Sequence, residues 1–364
     1  MKWFLRKQFI YNKAASGHFF TQPKWGRRVL PGFAAFFMAG ILSGCGGQKI
    51  EEVRRTDTAM GTIVQQNLYV REDQGAAEGV MQLIDSLEKD MLSWRLSSSQ
   101  VYRLNESAGT AEGEEVCGEL WDILQTVWSV SERSGGALDV TVGDVVRLWD
   151  IDSYAAGEKE GKFEVPSEEL IRQALRDTGY EKVVFDDGRL YLPEDMNLDL
   201  GAVGKGIACG QIQEYLKTRE EVTGAVVSVG GSVATYGKKP DGSPWRVGIL
   251  NPEDTGSYLG FLVLEGMWCV STSGDYERYV EADGIRYHHI LDPSDGRPAD
   301  SGVRSVTILT EDGLLGDALS TACFVLGEEK GLKLAEDFGA EALFVSADGR
   351  ISMTEGMKQF FREK

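Results

Sequence analysis

The hydrophobic period changes near residue 220, and that change restricts the fold more than any other feature of the chain. Before it, apolar residues recur at helical spacing. In 76–91, Ala77, Val80, Met81, Ile84, Leu87 and Met91 share one face, and in 118–133 Leu120, Ile123, Leu124, Val127 and Trp128 do so. After it the pattern is predominantly β, over 224–236, 245–250, 258–271, 276–281, 285–291 and 303–310. A helix at about 317–336 and a hairpin around Asp348-Gly349 finish the chain. The first half adds a strand over 62–70 and a hairpin of 183–185 and 190–192 about Asp186-Asp187-Gly188. Ser167 reads as an N-cap, with Glu168 and Glu169 in the first turn of a helix to about 177. Residues 153–165 are polar and read as an exposed loop. Helices mixed with antiparallel strands predict an α+β fold, its helix-rich and β-rich halves forming two intimate lobes with a central cleft.

Charge is uneven along the 364 residues. Residues 1–44 hold seven basic residues (Lys2, Arg6, Lys7, Lys13, Lys24, Arg27, Arg28) and no acid, which leaves 31 basic against 57 acidic residues in the remainder. Such a surface repels nucleic acid, so none is expected as a partner. The apolar stretch 29–42, broken by Pro31, Gly32 and Gly40, is too short and interrupted for a membrane span and suits a signal-peptide core. Leu42-Ser43-Gly44-Cys45 follows, similar to a bacterial lipobox with Cys45 as the lipidated residue. The expected division is a signal peptide over 1–44, a lipid-anchored tether over 45–55 and one folded domain over 56–364, on the outer face of the cell membrane. Cys117, Cys209, Cys269 and Cys323 have no metal spacing and read as buried free thiols.

Histidine is scarce: His18 lies in the leader, which leaves His288 and His289. Adjacent strand residues face opposite sides, so at most one enters a given site. A His-rich zinc centre is thereby excluded, while a single general base is possible. Two ordinary hydrogen-bonded strand histidines would satisfy the same pattern. Ser271-Thr272-Ser273-Gly274-Asp275-Tyr276-Glu277-Arg278-Tyr279 precedes them, with hydroxyls and amides able to hold phosphate oxygens. Asp292-Pro293-Ser294-Asp295-Gly296-Arg297-Pro298 follows as a turn. Asp317 and Thr321 stand four apart on a predicted helix and face the same way. They are either hard-oxygen donors suited to Mg2+ on a pyrophosphate, or an N-capping Asp and a solvent-facing Thr. The Gly-rich run Asp199-Leu200-Gly201-Ala202-Val203-Gly204-Lys205-Gly206 leads into a helix whose first amides favour anions. It is neither a Walker A loop, because Gly206 stands where Ser or Thr is required, nor a dinucleotide fingerprint. Gly230-Gly231 inside the run 224–236 marks a bulge, a close approach by a ligand, or a packing constraint.

In order, these blocks resemble the ApbE family of flavin transferases across nearly all of the chain beyond the leader. Met60-Gly61-Thr62 is similar to the family's opening motif, and Leu92-Ser93-Trp94-Arg95 with Val101-Tyr102-Arg103-Leu104-Asn105 to its aromatic segment. Gly136-Ala137-Leu138-Asp139-Val140-Thr141-Val142-Gly143 with Leu148-Trp149, the 199–206 run, Ser228-Val229-Gly230-Gly231-Ser232, Pro244-Trp245-Arg246-Val247-Gly248-Ile249, 272–298 and 317–322 complete the series. The resemblance implies a T-fold-related α+β architecture and transfer of FMN from FAD to a threonine of an acceptor protein, a subunit of a membrane redox complex. It places Met60, Trp94, Ala137, Leu138, Asp139, Asp199, Lys205 and Ile290 around FAD, with Trp94 offering a stacking face. It gives Mg2+ to the Ala202 carbonyl, Asp317 and Thr321, and the general-base role to His289 rather than His288. Departures are Ser97-Ser98-Ser99 where the family has an Asp-Ser pair, Leu138 for Phe, Gly204 for Ala, and Ser294-Asp295 within the Asp-Pro turn. Two other readings share the motifs: a Mg2+-dependent FAD hydrolase, and a lipoprotein that binds FAD without chemistry.

Overall fold

Met60 and Gly61 turn the chain back on itself with positive φ at both residues (49° and 64°), the geometry of a two-residue hairpin. They join β1 (Glu51–Ala59) to β2 (Thr62–Val70). The computed structural model describes residues 49–364; the expected signal peptide and Cys45 lie outside them. The expected tether over 45–55 is overtaken by β1, which pairs with β2 from Glu51↔Val70 to Ala59↔Thr62. Five of its nine residues are charged (Glu51, Glu52, Arg54, Arg55, Asp57), so it has no apolar alternation to read. Such composition belongs to the edge strand that it forms.

Next come α1 (Ala76–Ser86), a π-helical turn over Leu87–Leu92, α2 (Gln100–Glu106), β3 (Glu114–Glu115), α3 (Gly118–Arg133), α4 (Gly143–Trp149), α5 (Ile151–Ala156) and α6 (Glu168–Leu175). The hairpin β4 (Val184–Asp186) and β5 (Arg189–Tyr191) leads to α7 (Gly204–Lys217), β6 (Val222–Val229), β7 (Ser232–Gly237), β8 (Trp245–Asn251), β9 (Asp254–Leu264) and β10 (Trp268–Gly274). Then follow β11 (Tyr279–Ala282), β12 (Ile285–His288), β13 (Leu291–Asp292), β14 (Arg297–Pro298), β15 (Val303–Thr310), α8 (Gly313–Leu326), α9 (Glu328–Asp337), β16 (Glu341–Ser346), β17 (Ile351–Met353), α10 (Met357–Phe360) and β18 (Phe361–Glu363).

Eight antiparallel strands form one sheet in the order β1-β2-β6-β7-β10-β15-β16-β17. Its period of two sorts side chains into two cores. From β15 and β16, Ile308, Ala342 and Phe344 face the helices α1, α3, α7, α8 and α9. Leu309, Leu343 and Val345 face Trp245, Val247, Ile249, Leu262 and Leu264 of the small sheet β18-β9-β8. A third cluster, with Val145, Trp149, Ile151, Phe163, Ile171 and Ala282, fastens α4, α5 and α6 to the hairpin β11–β12. The helix-rich and β-rich halves are so intimate that Ile50–Lys364 is one compact unit.

Several expected boundaries move. The run 224–236 is two strands, because Gly230 (φ 59°) makes it a hairpin turn. The helix expected over 317–336 begins at Gly313 and breaks at Gly327. The loop expected over 153–165 begins later, since α5 reaches Ala156 and Phe163 is buried. The Ser167 cap is present, its side chain accepting from the Leu170 N–H. Cys209, Cys269 and Cys323 are buried free thiols, as expected, and Cys117 is half-buried. Among the described residues no helix is long and apolar enough to cross a membrane.

Candidate active site

Two helices touch where Gly206 meets Gly313. A Cβ at Gly206 would lie 2.1 Å from the Gly313 carbonyl oxygen and 2.8 Å from Asp317 Cβ, so only glycine lets α7 and α8 approach this closely. The approach gives Asp317 its setting. Its Oδ2 accepts from the Gly206 N–H at 2.6 Å and its Oδ1 from the Ser232 hydroxyl at 2.7 Å, while the residue is only 3% exposed. Asp312 is the N-cap of α8, accepting from the Leu315 N–H at 3.1 Å. Asp317 is therefore an internal helix residue, which removes the capping alternative left open by the sequence. No lysine or arginine pairs with it among the described residues; N–H and O–H dipoles meet its charge. Gly206→Ala is expected to destabilise the chain by about 2–3 kcal/mol and lower its melting temperature by about 5 °C. A thermal melt checks this, and a wild-type melting temperature would show that the helices can move apart freely.

Thr321 lies one turn beyond Asp317 on α8, 3.5 Å from the Ser273 hydroxyl, which is itself 2.8 Å from Ser320 Oγ. Ala202 stands in the turn that opens α7. Lys205 occupies the first turn of α7 and makes no ion pair among the described residues. Its Cδ would be 3.3 Å from a Cβ at Gly230, and a Cβ at Gly231 would be 2.5 Å from Glu277 Oε1. The Gly230-Gly231 turn is thus both a hairpin turn and a place of close approach, by Thr62, Lys205 and Glu277. Glu277 is exposed, and Lys205 and Arg278 stand near enough to favour its charged form.

The two histidines separate, although β12 ends at His288 and His289 lies just beyond it. His288 is buried, with Nε2–H donating to the Ala299 carbonyl at 3.0 Å and its ring edge-on to Phe324. His289 is half-buried, and both its N–H (3.1 Å) and its Nδ1 (3.2 Å) meet the Arg278 carbonyl. A carbonyl only accepts, so Nδ1 carries the proton and Nε2 the lone pair. Burial above all, with Arg278 and Lys205, lowers the His289 pKa, and Asp152 opposes them. The imidazole is neutral at pH 7.

The residues expected around FAD divide. Met60 sits in the β1–β2 turn, its N–H donating to Glu88 at 3.0 Å, and its Cε would be 3.5 Å from a Cβ at Gly204. The expected open stacking face of Trp94 carries guanidinium groups instead: Arg95 and Arg147 lie 4.0 and 4.6 Å from the ring centroid, an attraction of cations to the ring. Asp199 accepts from the Gly201 N–H at 2.7 Å, and burial raises its pKa. Leu138 and Ile290 are core residues and Ala137 is buried. Asp139 accepts from the Thr141 N–H and O–H and the Tyr180 N–H at 2.7–3.0 Å, which ties its own loop to the segment at Tyr180. Sequence patterns give no role to Asp152, Arg147, Arg95, Ser232, Glu277 or Arg278. Five of them stand inside the family-like blocks or beside them, but Asp152 lies at the edge of a stretch that reads as loop and carries no signal.

Two antiparallel sheets packed face to face, with helices over the larger one, make an architecture shared with known flavin transferases. The ApbE protein of Thermotoga maritima matches with a TM-score of 0.75 at 35% identity, over 86% of this chain and 100% of that one. The apo flavinyl transferase ApbE of Pseudomonas stutzeri matches with a TM-score of 0.72 at 32% identity, over 86% of this chain and 97% of that one. The ApbE family model matches residues 60–344. An FAD:protein FMN transferase of Treponema pallidum is 33% identical over 348 residues, 90% of this chain and 93% of that protein. One from Klebsiella pneumoniae is 34% identical over 309 residues, 83% of this chain and 92% of that protein. The chain belongs to the ApbE family.

Proposed function

We propose that this chain is an FAD:protein FMN transferase, which moves FMN from FAD onto a threonine hydroxyl of an acceptor protein and releases AMP, with Mg2+ as its cation. The observation that carries this reading is the grouping about the start of α7. There a buried carboxylate without a basic partner among the described residues (Asp317) meets the helix of Lys205, a lysine outside any ion pair, and the Lys205 charge reaches His289, whose Nε2 is free. The names of the relatives support the transfer of FMN from FAD.

A threonine hydroxyl is a weak nucleophile at neutral pH. His289 is neutral there, and its Nε2 takes the hydroxyl proton as the oxygen attacks the FMN-side phosphorus. The phosphorus–oxygen bond to AMP breaks, and AMP leaves with the bonding pair. Lys205 meets the negative charge that grows on the phosphoryl oxygens. The donors suit a hard cation: the Asp317 carboxylate, the Thr321 hydroxyl and the Ala202 carbonyl would hold Mg2+, whose bound charge stabilises the transferring group. No group of three His, Cys, Asp or Glu side chains stands together among the described residues. Cys45 and the leader before it support a lipid-anchored enzyme outside the cell membrane, acting on a subunit of a membrane redox complex.

The test is flavinylation of a threonine-bearing acceptor domain by the full chain with FAD and Mg2+, followed by intact mass and in-gel flavin fluorescence. The acceptor gains one FMN, AMP appears in equal amount, and EDTA stops both. Cleavage of FAD with every acceptor unmodified would replace transfer by hydrolysis. Bound FAD without turnover would leave a binding protein.

A further inference from the structure

Asp152 stands outside the grouping of Asp317, Lys205 and His289, yet its element is built onto the strands that lead to His289. Trp149, Ile151 and Phe163 pack against Ala282 of β11, and the Tyr287 ring of β12 lies 5.7 Å from both the Trp149 and Phe163 rings. The Trp149 indole N–H donates to the Gly296 carbonyl at 2.7 Å, which ties the end of α4 to the turn after His289. From α5, Asp152 Oδ2 accepts from Arg278 Nη1 at 2.9 Å. The carbonyl of that same arginine takes both the N–H and the Nδ1–H of His289, at 3.1 and 3.2 Å. One residue thus joins carboxylate and imidazole, by its side chain to one and its backbone to the other. Asp152 Oδ1 is buried and has no hydrogen-bond partner. The side chain as a whole is 38% exposed, so solvent screens its charge in part.

We propose that Asp152 is a positioning residue for the base: through Arg278 it holds His289 with Nε2 free, and its carboxylate supplies the negative charge that the imidazolium meets once Nε2 has taken the acceptor proton. The inference rests on His289 acting as that base. Three charged groups act on His289. Asp152 favours the imidazolium, while Arg278 and Lys205 oppose it, and burial opposes it most of all. Removing the Asp152 charge leaves burial and both cations set against protonation, and it frees the Arg278 side chain.

Asp152→Asn in the full chain keeps the size of the side chain and removes its charge. The expected result is a fall in kcat of about tenfold with little change in KM for FAD. The acid limb of the kcat/KM profile should move to lower pH by about one pH unit, because the imidazolium has lost the charge that favours it. Asp152→Glu, which restores the charge, should return the limb toward its original position. In the double variant with His289→Ala the rate should fall no further than in His289→Ala alone, since Asp152 acts through that residue. An unchanged rate and acid limb in Asp152→Asn would overturn the proposal. So would a slower enzyme whose limb stays in place while its melting temperature falls, which would make Asp152 only a fastening of α5. The two readings fail separately: a His289→Ala chain that transfers FMN normally removes the base itself, whereas an inactive His289→Ala beside an unaltered Asp152→Asn removes only the role of Asp152.

Discussion

Asp317→Asn is expected to lose FMN transfer by about 100-fold or more while folding as the wild type does. The asparagine fits because of how the carboxylate is held. Its Oδ2 takes the Gly206 N–H and its Oδ1 the Ser232 hydroxyl. An amide oxygen can keep the Gly206 bond, and a serine hydroxyl can rotate to accept from the new amide N–H. The substitution therefore removes the charge and little else. Asp317→Ala, by contrast, leaves both donors unmet at a residue only 3% exposed, at about 1–3 kcal/mol. Comparing the two separates the fold from the chemistry. Mg2+ should raise the melting temperature of the wild type through binding to the folded chain alone, and should leave that of Asp317→Asn unchanged. A wild-type transfer rate in Asp317→Asn, or the same rise with Mg2+, would take Asp317 out of the cation site.

Why Asp317 is legible in the sequence and Asp152 is not follows from how each is placed. Asp317 and Thr321 are four apart on one helix, so spacing alone puts them together, and the fold adds that Asp312 does the capping. The Gly-rich run shows only that a helix start there favours anions; Lys205 is singled out by the family resemblance. The strand period predicts His288 and His289 on opposite sides; they do separate, but through the end of β12 at His288. Asp152 and Arg278 stand 126 residues apart and meet only because Trp149, Ile151 and Phe163 pack on the β11–β12 hairpin. No local pattern encodes a contact of that range. The β1 strand escapes for the opposite reason: its pairing is local, but an edge strand of charged residues has no apolar period. Trp94 shows a third kind of gap. The family resemblance offers its ring as a stacking face, and the contacts of Arg95 and of Arg147 on α4 with that ring come only from the packing of α4.

His289→Ala is expected to slow transfer by about 10²–10⁴-fold while FAD binding is retained. The imidazole is held by one acceptor, the Arg278 carbonyl, which fixes the tautomer and leaves Nε2 as the proton acceptor. Burial lowers its pKa, so protonation that disables the base begins only below the ordinary histidine value of about 6.5. The acid limb of the wild-type profile should therefore lie below that pH. In His289→Ala, the residual rate should instead rise with pH, as solvent takes the proton that Nε2 no longer takes. His288→Gln is the control. Its amide N–H can keep the bond to the Ala299 carbonyl, so kcat should stay near wild type even where the loss of packing on Phe324 lowers stability. Equal losses of kcat in both variants would mean that the pair matters for the course of the strand and the turn after it, and the base would have to be sought elsewhere. Glu277 would be the first candidate, because its carboxylate approaches the same Gly230-Gly231 turn as Lys205.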